Sequence, residues 1–161
     1  MMNQTFSLAA MDRYQFCNLG IEDLNAIMAI EELVYTHPWS RGNFLDSFEQ
    51  GHAVCGIRDA SDKLLGYFVL MPVVDELHLL TIAVDQCKQG QGYALILLRY
   101  LKDFAASRQF HSILLEVRIS NRRAREIYQR FGFEEIGRRK AYYPAHNGQR
   151  EDAIVMRMSL V

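Results

Sequence analysis

The middle of the chain, residues 76–131, switches repeatedly between strand-like and helix-like hydrophobic periods, and this limits the fold more than any other feature. Glu76 to Val84 reads as a strand. Tyr93 to Arg108 sets Ala94, Leu97, Leu98, Leu101, Phe104 and Ala105 at the i, i+3, i+4, i+7 spacing of one helix face. His111 to Val117 is a short β-rich run. A second helical stretch carries Ala124, Ile127, Tyr128 and Phe131, with Ser120 as its expected cap and Gly132 as its stop. Strand, helix and strand in one sheet demand a right-handed crossover between parallel neighbours.

The flanks read differently. Leu24, Ile27, Met28, Ile30 and Val34 predict a helix over about 21–35, which His37-Pro38-Trp39 interrupts because the residue before proline is pushed out of the helical region. Ser40 caps a second short helix with Phe44, Leu45 and Phe48 on its apolar side. His52 to Arg58 and Leu64 to Val74 are strand-like and are joined by the polar turn Asp59-Ala60-Ser61-Asp62-Lys63, a hairpin. Phe133 to Lys140 and Asp152 to Val161 read as closing strands around a polar loop with Pro144 and Asn147-Gly148. The expected order is α-α-β-β-β-α-β-α-β-β, a mixed α/β (α+β) domain whose mostly antiparallel sheet is flanked by helices.

A length of 161 residues fits one domain, 1–161, with residues 1–15 as a flexible lead-in. The net charge of -1 supplies no basic field, so no nucleic-acid partner is expected. Cys17, Cys55 and Cys87 stand far apart with no histidine at zinc spacing, which predicts neither a metal site nor disulfides and fits a reducing cytoplasm. The first residues lack signal-peptide character and no apolar run reaches the ~18 residues of a membrane helix, so no membrane partner is expected and a monomer is.

The chemistry points to the joint between the third strand and the long helix. Gln89-Gly90-Gln91-Gly92-Tyr93-Ala94-Leu95 places two glycines where a helix begins. Bare backbone N–H groups and the positive helix end suit an anion such as a pyrophosphate. A tight turn is the competing reading. No Gly-Lys-Ser/Thr follows, so this is not a P-loop, and the spacing is not that of a dinucleotide fingerprint.

Ile82-Ala83-Val84 followed by Gln89-x-x-Gly92-x-Ala94 resembles the acyl-CoA signature of the GCN-five-related N-acetyltransferase (GNAT) superfamily, Arg/Gln-x-x-Gly-x-Gly/Ala. Further segments narrow the likeness: His37-Pro38-Trp39-Ser40, Leu115-Glu116-Val117-Arg118, Ser120-Asn121, Ile127-Tyr128, Gly132-Phe133, Tyr142-Tyr143-Pro144 and Arg150-Glu151-Asp152-Ala153. Over residues 18–160 the chain is similar to the RimI group, the ribosomal-protein-alanine N-acetyltransferases.

The resemblance implies acetyl-CoA as co-substrate and, as acceptor, the N-terminal alanine of the small-subunit ribosomal protein S18. It implies that Ile82, Ala83 and Val84 pair with the pantetheine arm, that Gln89, Gly90, Gln91, Gly92, Tyr93, Ala94 and Leu95 hold the phosphates, and that Asn121 bonds the arm. It makes Glu116 the general base and Tyr128 the general acid of a direct transfer. The residues alone leave Glu116 open as a solvent-facing strand residue or a partner of Arg118, Tyr128 as a core aromatic, and Asn121 as a helix cap. Arg122, Arg123 and Arg125 read as a solvated face or as ribose-phosphate contacts, and His78 and His111 as structural. Arg138, Arg139 and Lys140 beside Tyr142-Tyr143 read as an RNA-stacking patch or, as the resemblance implies and in preference, as the border of the acceptor cleft. A small-amine acetyltransferase (polyamine or drug) and a non-catalytic acyl-CoA-binding module are the rival readings.

Overall fold

The computed structural model describes residues 14–161. The lead-in expected over 1–15 lies outside the described residues as far as 13, while Tyr14 and Gln15 open a strand. In chain order the elements are β1 (Tyr14–Asn18), a 3₁₀ turn (Ile21–Asp23), α1 (Leu24–Val34), α2 (Arg41–Glu49), β2 (Ala53–Asp59), β3 (Leu64–Val73) and β4 (Glu76–Val84). A 3₁₀ turn (Gln86–Lys88), α3 (Tyr93–Ser107), β5 (Ser112–Arg118), α4 (Arg122–Phe131), β6 (Glu134–Pro144), a third 3₁₀ turn (His146–Gly148) and β7 (Arg150–Ser159) complete it.

The strands form one sheet in the order β1-β2-β3-β4-β5-β7-β6. β4 and β5 run parallel, joined by α3 as the crossover, whereas β1–β2, β5–β7 and β6–β7 are antiparallel. This is the mixed, mostly antiparallel α/β architecture expected. β1 is the element the sequence reading lacks: it pairs along its length with Cys55–Asp59 of β2.

The chain divides into two compact units, one running to Val69 and including Thr81–Leu97, the other made of Leu70–Leu80 and Leu98–Val161. In the first, Ile27, Phe44, Ile57, Tyr67, Phe68 and Leu97 are fully buried. Ser40 caps α2 as expected, accepting from Asn43 N–H at 3.1 Å. In the second, β5 alternates cleanly. Ile113, Leu115 and Val117 are buried while Leu114, Glu116 and Arg118 face a half-exposed side, so the period of two alone keeps the Glu116 carboxylate near solvent. Gly132, at φ +124°, ends α4. The cap of α4 is Asn121 rather than Ser120, its side-chain oxygen accepting from Ala124 N–H at 3.2 Å. Among the described residues no helix is long and apolar enough to cross a membrane.

Candidate active site

In the first unit, β4 leaves the core at Asp85, and the chain then makes the glycine segment. Gly90 and Gly92 adopt φ +77° and +90°, and a side-chain carbon at either would meet nothing within 4 Å. The glycines therefore serve a backbone conformation and keep the space above it clear. The first intrahelical bond of α3 runs from Ile96 N–H to Gly92 O at 3.2 Å. Tyr93, Ala94 and Leu95 thus hold opening N–H groups that the helix itself cannot satisfy. Gln89, Gly90, Gln91, Gly92 and Leu95 are exposed, and Tyr93 and Ala94 are half-buried.

Side chains brace this turn. The Asp85 carboxylate accepts from Cys87 N–H at 3.0 Å and faces Lys63 Nζ at 3.7 Å. Gln89 Nε2 donates to Val84 O at 3.2 Å, and Gln91 Nε2 to the carbonyl of the exposed Cys87 at 3.4 Å. Asp85 N–H donates to Leu65 O at 2.8 Å. Strand alternation then turns the N–H groups of Ile82 and Val84 away from β3. Ala83 and Val84 are buried and Ile82 half-buried, so the backbone of this segment is the part able to meet a ligand.

A buried polar group that the sequence reading missed sits behind it. Glu31 is 1% exposed. Its carboxylate accepts from the Tyr67 hydroxyl and from Trp39 N–H, the latter at 3.2 Å. Burial raises its pKa above the ordinary carboxylate value, and the two donors pull the other way. Glu31 thereby fixes the His37-Pro38-Trp39 segment, and the Trp39 ring packs on Phe44 at 5.0 Å. One turn on, the Tyr35 hydroxyl donates to Ile82 O. A glutamate on the same helix face as Leu24 and Ile27 is the signal that a charge-aware reading of α1 would have flagged.

In the second unit, Glu116 does not pair with Arg118. Its Oε1 lies 2.8 Å from Arg139 Nε, and the Tyr142 hydroxyl also donates to the carboxylate. Burial foremost, then the Glu116 charge, raises the pKa of Tyr142, and the same two causes raise that of Tyr143. Arg118 instead binds Glu151 Oε1 at 2.9 Å and Pro144 O at 2.7 Å, with its guanidinium 4.6 Å from the Tyr143 ring centroid.

These contacts depend on a break in β6. Arg139 pairs with Ala153 and Tyr143 with Glu151, so β6 advances four residues while β7 advances two. Ala141 sits at φ +49° in this bulge. Its N–H donates to Asp152 Oδ1 at 2.9 Å, and Arg150 donates to the carbonyls of Ala141 and Tyr142, each at 2.7 Å. Such a bulge redirects side chains, here toward Glu116.

Tyr128 is half-buried on α4, its ring 5.8 Å from that of Phe133. Burial pushes its hydroxyl up to about 12, and that hydroxyl has no hydrogen-bond partner among the described residues. Asn121 spends its oxygen on the cap and keeps its amide nitrogen. Arg125 Nη1 donates to Ile119 O at 3.0 Å, while Arg122 and Arg123 are exposed. His78 and His111 pair with Glu76 and Asp75 at 3.0 and 3.1 Å, as structural histidines would. Among the described residues no group of three His, Cys, Asp or Glu side chains is arranged to hold a metal.

Comparison with known proteins bears on the fold and the family. The model of the Acetyltransferase (GNAT) family matches residues 24–133. The ribosomal protein bS18-alanine N-acetyltransferase of Haemophilus ducreyi is 35% identical over 140 residues, 86% of this chain and 95% of the relative. The crystal structure of the ribosomal-protein-S18-alanine N-acetyltransferase from Escherichia coli superposes with a TM-score of 0.85 at 33% identity, covering 91% of this chain and 94% of that one. A spermidine N-acetyltransferase chimera from Vibrio cholerae shares the fold alone, with a TM-score of 0.79 at 21% identity over 91% of this chain and 95% of its own. A glycine-opened helix after β4, a partly buried carboxylate on β5 and, on α4, a tyrosine whose hydroxyl has no hydrogen-bond partner among the described residues thus occur in a chain that belongs to the acetyltransferase (GNAT) family.

Proposed function

We propose that this protein, working as one domain in the cytoplasm, moves the acetyl group of acetyl-CoA directly onto a protein N-terminus, the N-terminal alanine of ribosomal protein S18. The acceptor follows from the relatives, which carry that activity in their names at 35% identity over nearly their full length. The observation that carries the chemical reading is Glu116: its carboxylate is partly buried and lies 2.8 Å from a cationic nitrogen, the distance a general base needs from an ammonium nitrogen.

Gly90, Gly92 and the opening N–H groups of α3 bind the pyrophosphate, supported by the positive helix end. The N–H groups of Ile82 and Val84 bind the pantetheine arm as an added strand would, and the free amide of Asn121 assists. Bound acetyl-CoA supplies the activated acyl carbon. Glu116 removes a proton from the acceptor ammonium, whose ordinary pKa near ~8 makes that step easier than for a lysine near ~10.4. The N–H of Val84 polarises the acetyl carbonyl. Tyr128 hydrogen-bonds the sulfur as the carbon–nitrogen bond forms and the carbon–sulfur bond breaks, and the amine's second proton leaves with CoA as its thiol. A phenol at about 12 is a weaker acid than a thiol near ~8.5, so this bond acts chiefly by stabilising the developing negative charge.

The test is mass spectrometry of products from a peptide with the alanine N-terminus of S18, a lysine peptide and spermidine. The alanine peptide is expected to be acetylated in preference. Glu116→Gln is expected to lower turnover by about 10²–10⁴-fold while binding of CoA persists. Acetylation of spermidine without the peptide overturns the acceptor, and full activity of Glu116→Gln overturns the base.

A further inference from the structure

Among the described residues, Arg139 is the cation ion-paired with the proposed base. Its reach is set by the sheet. Glu116 pairs across to Val155, which pairs on to Gly137, while Arg139 stands one side-chain row along, opposite Ala153. Gly137 leaves its place in the row of Glu116 without a side chain and Ala153 contributes only a methyl group. A long guanidinium arm can therefore cross over β7, a span of two strand spacings of about 4.8 Å each, to the Glu116 side chain that shares the gap.

The contact is also weakly held. The Arg139 side chain is 57% exposed, against 19% for Glu116, and its Nε lies 2.8 Å from the carboxylate. The guanidinium rests 5.2 Å from the Tyr142 ring centroid. Arg118 beside it is bound differently, with two protein oxygens and a closer ring. Exposed pairs of the Arg139 kind contribute little to stability and exchange readily with solvent. The acceptor's ammonium carries the same charge and needs the same carboxylate.

We infer that Arg139 is a placeholder for the acceptor: it occupies Glu116 in the free enzyme and gives up the carboxylate when the acceptor ammonium arrives, so that it sets acceptor affinity by competition. This rests on the assignment of Glu116 as base. Arg139 is a specificity-setting residue here; it donates no proton to the reaction.

The experiment is steady-state acetylation of the alanine peptide by the full chain at saturating acetyl-CoA, with Arg139→Ala, Arg139→Lys and Arg157→Ala compared. Arg157, ion-paired with Glu76 at 2.9 Å, controls for loss of one comparably exposed arginine–glutamate pair outside the site. Arg139→Ala is expected to lower the peptide KM by about 2- to 5-fold, with the gain in kcat/KM residing in KM. Arg139→Lys keeps a competitor and is expected near the parent KM, as is Arg157→Ala. A raised or unaltered KM in Arg139→Ala, a fall confined to kcat, or an equal KM gain in Arg157→Ala overturns the placeholder role. Full activity of Glu116→Gln in the same assay overturns the base assignment and this inference with it, and the two failures are told apart by that variant.

Discussion

Replacing Gly92 by alanine separates two roles of one residue, conformational and ligand-facing. At φ +90° with no atom within 4 Å of an added carbon, alanine creates no clash but does create backbone strain. The strain of an L-residue at positive φ is about 1–2 kcal/mol, which in a domain of this size lowers Tm by roughly 2–8 °C. Gly51 supplies a matched control, because it has φ +74° and equally empty surroundings at the end of α2. Gly51→Ala is expected to show a similar fall in Tm and unaltered affinity for CoA. Gly92→Ala adds a methyl where the phosphates approach, displacing hydrogen bonds to a charged group worth about 1.5–3 kcal/mol each. Titration calorimetry with CoA should show affinity lower by about 10- to 100-fold. Equal CoA affinity in the two variants refutes the phosphate role and leaves Gly92 a turn glycine.

Tyr128→Phe keeps the ring packed on Phe133 and removes only the hydroxyl; kcat for the peptide should fall by about 10–100-fold, and an undiminished kcat returns the residue to the core. Glu31 gives a stability test. Burial raises its folded pKa, so between the unfolded value near ~4.3 and the folded one the native state holds more protons than the unfolded state. Stability therefore falls as pH rises through that window, at up to ~1.4 kcal/mol per pH unit, and levels off above it. Glu31→Gln, which retains an acceptor for Trp39 and a group for the Tyr67 hydroxyl, should lose this contribution, and urea midpoints compared at several pH values measure it. Parallel pH profiles for the two proteins would contradict the account.

What the chain states locally was readable before its structure. A glycine at positive φ and a serine one residue before a helix are short-range facts, so the turn after β4 and the cap at Ser40 followed from neighbours in sequence, while the solvent-facing side of Glu116 was one of the readings its strand left open. Ser120 and Asn121 are both good caps, and propensity does not choose between adjacent candidates. β1 was lost because its five residues show little alternation and its partner, β2, begins 35 positions after it ends. The partners of Glu116 are set by the β6 bulge, a register event that depends on Arg150 and Asp152 from the opposite strand. Arg118 was the nearer candidate in sequence and is engaged elsewhere.

The bracing of the glycine turn has a practical consequence for spectroscopy. The three cysteines differ sharply in access: Cys55 is buried, Cys17 is partly covered with its thiol pushed up by burial, and Cys87 is exposed. A thiol-reactive fluorophore under mild conditions should therefore attach at Cys87. There it would ride on the segment whose backbone is tied to Asp85 and Gln91. The wild-type chain thus carries its own labelling position for watching the turn respond to CoA in real time.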